Sequence, residues 1–76
     1  MRTYHTNDGA VIEAKDARDV VRKLRAMSNT PEQNIQTFME EVAERVLLQG
    51  NVIATDTPAH FVAGLLSAGL LTEETQ

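Results

Sequence analysis

The order of turn signals and hydrophobic periods predicts a small α+β domain in the order ββααβα, with an N-terminal β-hairpin, a short third strand and three helices. Three observations carry this prediction. An Asn7-Asp8-Gly9 turn separates two β-prone runs, the pairs Thr30-Pro31 and Thr57-Pro58 announce helix starts, and Gly50 and Gly69 fall where helices should stop.

Residues 2–6 alternate Arg, Thr, Tyr, His and Thr, and Ala10-Val11-Ile12-Glu13-Ala14 follows the turn with β-branched side chains suited to a pleated, half-buried surface. From Asp16, the expected N-cap, the period becomes helical: Ala17, Val20, Val21, Leu24 and Met27 share one face. Thr30-Pro31-Glu32-Gln33 reads as a capping box opening a helix over 31–49, with an apolar stripe of Ile35, Phe38, Met39, Val42, Val46 and Leu47. Val52-Ile53-Ala54-Thr55 reads as a short third strand, and its composition leaves open whether it joins the hairpin. Thr57-Pro58 then opens the last helix, through Phe61, Val62, Leu65 and Leu66 to Gly69. The expected domain spans 1–71, and Thr72 to Gln76 is expected to be a polar, frayed tail.

At 76 residues, a second domain would leave neither half enough apolar surface to bury. The chain has no cysteine, which removes disulfides, thiolate chemistry and cysteine-based metal sites, and makes a reducing cytoplasm the expected setting. Residues 1–8 have no apolar leader pattern, and the 14-residue apolar stretch Pro58–Leu71 falls short of the roughly 18 residues that mark a membrane span. The net charge of −4 disfavours indiscriminate attraction to nucleic acid or anionic lipid.

Catalytic patterns are weak. His5 and His60 are the only histidines and have no His-Glu-x-x-His spacing, so no metal and no cofactor is expected. Asp56 and His60 with Ser28 or Ser67 have the residue types of a hydrolytic triad but no Gly-x-Ser-x-Gly elbow. Glu40, Glu41 and Glu44 fall between apolar helix positions and read as a solvated face. The expectation is a protein that is not an enzyme.

Two surfaces remain. Arg18, Arg22 and Arg25 form a stripe at i, i+4 and i+7 in a segment, Lys15–Arg25, of net charge +3, while the rest of the chain carries −7. The stripe is a secondary charged surface for phosphates or an acidic protein, and a nucleic-acid-associated accessory factor is the alternative function it supports. A helix-turn-helix reading fails on charge, because Glu32, Glu40, Glu41 and Glu44 would face DNA against a single Arg45.

The last helix carries the stronger signal. Pro58–Leu71 contains no charged residue, whereas a surface helix needs a polar face. One side can cover the sheet; the other, lined by His60, Ala63, Gly64, Ser67 and Ala68, has side chains small enough for another backbone to approach. These five residues are the expected protein interface. The sequence therefore reads as a cytoplasmic, non-enzymatic interaction or regulatory module that binds a protein partner or a second copy through this helix.

Overall fold

A computed structural model describes residues 1–28 and 34–74. The elements are β1 (Arg2–Thr6), β2 (Val11–Ala14), α1 (Ala17–Ala26), α2 (Ile35–Leu48), α3 (Pro58–Ser67) and β3 (Leu71–Glu74). The α+β class, the hairpin and the three helices agree with the sequence reading. The third strand lies elsewhere.

The sheet is antiparallel with β1 in the middle, in the order β2-β1-β3. Tyr4 pairs with Ile12 on one side and Glu73 on the other, and Thr6 pairs with Leu71. Pairing at this register puts Tyr4, Ile12, Ala14 and Leu71 on one face, where all four are buried. Val11, Glu13, Thr72 and Glu74 lie on the open face and are exposed. The hairpin closes with Gly9 at φ 92°, the Thr6 N–H on the Ala10 carbonyl at 2.9 Å, and the Thr6 hydroxyl donating to Asp8.

Local capping builds the helices. The Asp16 carboxylate accepts the Asp19 N–H at 2.8 Å and Asn34 accepts the Thr37 N–H at 2.7 Å. Asn34 therefore caps α2; the Thr30-Pro31 start lies outside the described residues. Gly50 and Gly69, at φ 92° and 77°, end α2 and α3 in the left-handed conformation. Each terminus carries the paired bonds of a Schellman motif: Gly50 N–H to Leu47 and Asn51 N–H to Val46, then Gly69 N–H to Leu66 and Leu70 N–H to Leu65.

The core joins Phe61, Val62 and Leu65 of α3 to Val20 and Val21 of α1, Phe38, Met39 and Val46 of α2, Ile53, and the sheet residues above. Two stripe positions leave it. Met27 is 52% and Leu47 56% exposed, because each falls at the rim of its helix face, one turn's drift from the buried positions.

The strand expected at 52–55 is not in the sheet. That segment is held between the helices, with Ile53 against Gly64, and the edge of β1 is filled by β3. Most of the expected tail is therefore structure: Thr72, Glu73 and Glu74 belong to β3, and Glu73 and Glu74 reach Arg2 at 3.7 Å and His5 at 3.5 Å across the sheet. Residues 75–76 lie outside the described residues. Leu71→Ala should lower the unfolding free energy by about 2–5 kcal/mol in urea denaturation. No change would count against the burial of Leu71 in the core.

Candidate functional site

Helix α3 is inserted so that Phe61, Val62 and Leu65 face inward while His60, Ala63 and Ser67 face out and are exposed. Gly64 and Ala68 are half-buried between these two sides. All five expected interface residues line one open depression of about 460 Å³, whose other wall is Asn51, Val52 and Ala54. The composition of α3 located this wall; the opposite wall was not visible, because no residue spacing signals that the loop after α2 returns to α3.

The two walls meet at Gly64. A Cβ there would lie 2.9 Å from Ile53 Cγ2 and 3.4 Å from Ile53 Cβ and Cγ1. The small side chain expected to admit another molecule thus admits the protein's own Ile53, which is 7% exposed. His60, Ala63 and Ser67 are exposed beside this contact, whereas Gly64 serves internal packing.

The start of α3 is fixed by Thr57, whose hydroxyl accepts the His60 N–H at 3.1 Å with Pro58 at the first helical position. The His60 ring Nδ1 donates to the Asp56 carboxylate, 3.0 Å from each oxygen. This hydrogen bond holds the Asp56 carboxyl below its ordinary range; slight desolvation opposes it and the charge of His60 adds to it. Both side chains are more than 60% exposed. Ser67 is seven residues, or about 10.5 Å of helix rise, beyond His60. Ser28 donates instead to the Arg25 carbonyl at 2.6 Å. Asp56 and His60 are thus paired, with Ser67 about two helical turns away along α3. Among the described residues, no group of three or more potential ligands is arranged for a metal ion.

The basic stripe is partly committed to its own helix. Asp19, 8% exposed, accepts the Lys15 N–H at 3.2 Å and lies 3.8 Å from Arg22 and 3.6 Å from Lys23. The backbone bond from Lys15 is the main reason its carboxyl is held low, opposed by desolvation and helped by the two cations. Lys23 also donates to the Glu13 carbonyl, which ties α1 to β2. Arg18 is exposed and Arg25 half-buried, so the three arginines do not present one free cationic face.

No protein-family model, curated protein or solved structure is similar to this chain. No helix among the described residues is long and apolar enough to cross a membrane.

Two measurements test this geometry. Gly64→Ala should destabilise the protein by about 1 kcal/mol, because overpacking against Ile53 outweighs the helix propensity that alanine adds. In an Ile53→Ala background the same change should stabilise, giving a clear coupling energy in a double-mutant cycle. Secondly, His60→Ala should raise the Asp56 titration midpoint towards the ordinary carboxylate range, followed by NMR of the side-chain carboxyl. A carboxyl whose folded pKa is lowered stabilises above its unfolded pKa and loses that contribution as the pH falls through the lowered value. The His60 variant should therefore flatten the stability profile at the acid end, and an unmoved midpoint would remove His60 as the cause.

Proposed function

We propose that this protein is a non-enzymatic interaction module whose contact surface is the outer side of α3, His60, Ala63 and Ser67, together with the adjoining segment 51–54. One observation carries the reading: a charge-free helix leaves its small-residue side exposed next to Val52, which is itself 85% exposed. Small side chains give a partner backbone close approach, and the concave shape adds contact area without the enclosed site that a small substrate needs. The partner is a protein, either a second copy or another chain. A cytoplasmic setting fits the cysteine-free composition.

The nucleic-acid alternative has less support, since Arg22 is engaged by Asp19 and Arg25 is half-buried. For catalysis by the Asp56–His60 pair, Ser67 stands about 10.5 Å along the helix from His60 and Ser28 is bonded to the Arg25 carbonyl.

Site-specific photocrosslinking in cells tests the reading. A photoreactive residue at Ser67 should give one discrete protein adduct, and the same residue at Arg18 should not. Ala63→Glu, at an exposed position that leaves the fold intact, should abolish the adduct by burying a charge at the contact. Absence of a discrete adduct, or persistence with Ala63→Glu, rejects this surface. Sedimentation of the wild type identifies whether the partner is a second copy.

A further inference from the structure

The segment 51–55 alternates in burial as a half-buried strand does, with Val52 and Ala54 exposed and Ile53 buried. It has β-branched residues and no strand to pair with. Its ends are secured to α2: the Asn51 N–H binds the Val46 carbonyl at 3.2 Å, and Gln36 Nε2 binds the Thr55 carbonyl at 2.9 Å. Between those anchors, the backbone N–H and C=O groups of Val52, Ile53 and Ala54 make no hydrogen bond with any described residue. A strand-like stretch held at both ends with free backbone groups is the form that β-strand addition uses.

Charge selects the occupant. On the α2 side the segment borders a groove of about 240 Å³, floored by Ala43, Leu47, Val52 and Ile53 and rimmed by Glu40 and Glu44. Gln36 also donates to Glu40 at 3.2 Å, which places this carboxylate beside the segment. Neither Glu40 nor Glu44 forms an ion pair with a described residue. At i, i+4 they repel each other, and Asp56 adds a third carboxylate at the far end of the segment. A second copy laid antiparallel on this stretch would bring acidic rim against acidic rim, in a chain of net charge −4.

We propose that Val52–Ala54 accepts an added β-strand from another protein, an extended segment that alternates β-branched residues with lysine or arginine. Its backbone bonds to the free groups of Val52 and Ala54, its apolar side chains cover Val52 and Leu47, and its cations meet Glu40 and Glu44. The proposal rests on the interaction-module reading and specifies the partner of that surface.

The probe is a blocked seven-residue peptide of alternating valine and lysine, titrated to millimolar concentration into the isotope-labelled full chain. Expected are amide shifts centred on Val52–Ala54, slowed hydrogen exchange at Val52 and Ala54, and weakening with salt. Glu40→Gln combined with Glu44→Gln should weaken binding about tenfold. A peptide N-methylated at alternate residues, or one with glutamate for lysine, should not bind. No shift at these residues, equal binding by the N-methylated peptide, or equal binding by the glutamate peptide each overturns the proposal. Exchange protection at Val52 and Ala54 that rises with protein concentration alone would assign the strand to a second copy, overturning the basic partner while leaving the interaction module standing. The photocrosslink from Ser67 fails independently, and its failure alone would reject the module.

Discussion

Strand β1 is satisfied only when the two ends of the chain meet. Its hairpin partner is close, since Tyr4 pairs with Ile12 eight residues on, but on the other side the same tyrosine pairs with Glu73, 69 residues on. Closing the longer loop costs about 2 kcal/mol more than closing the shorter one, from the logarithmic growth of loop entropy. Burial of Leu71, 2% exposed, returns roughly 1.5–3 kcal/mol. One leucine offsets the difference, so the position of the turn at Gly69 matters more than the strand propensity of the residues after it.

That closure dictates where the remaining elements lie. Leaving α3 through Gly69 directly into β3 fixes α3 against the sheet with Phe61, Val62 and Leu65 inward. The chain from α2 must then run alongside α3 to reach Thr57, and Gly64 gives it room to do so, with Ile53 seated where a Cβ would stand. A segment used in this way has its side chains determined by α3 and its backbone left over. The exposed surface is thus a by-product of packing that the core requires, and the free backbone groups of Val52–Ala54 follow from it.

Local signals were legible in the sequence and non-local ones were not. The caps at Asp16 and Thr57 and the left-handed glycines at 50 and 69 depend on bonds within a few residues, so their residue types alone announce them. Thr72-Glu73-Glu74 has poor strand composition and forms a strand because β1 offers an edge and Arg2 and His5 offer partners. Val52-Ile53-Ala54-Thr55 has good strand composition and forms none: Ile53 packs against Gly64, and β3 fills the free edge of β1. For the site, the charge-free α3 marked its own exposed side, while the Ile53–Gly64 contact depends on tertiary packing that no spacing encodes. The Asp56–His60 pair sits at i, i+4, a spacing open to a sequence reading once Thr57 is recognised as the cap.

The distribution of charge separates the two sides of the molecule. Asp19 accepts the Lys15 backbone N–H and pairs with Arg22 and Lys23, so two of the cations of α1 serve an anion in their own helix. Glu40 and Glu44 lie on α2 with no ion pair among the described residues, and Glu44 stands towards the negative end of its helix dipole, where a carboxylate is disfavoured. Glu40 accepts a hydrogen bond from Gln36 at 3.2 Å, but neither carboxylate is neutralised by a cation of a described residue. A nearby uncompensated pair costs a few tenths of a kcal/mol in the isolated protein. An external cation would relieve that repulsion, and the carboxylates lie beside the stretch Val52–Ala54 whose backbone bonds no described residue. Backbone groups without a hydrogen bond to any described residue and carboxylates without an ion pair to one thus border the same groove, the combination on which the proposed basic strand depends.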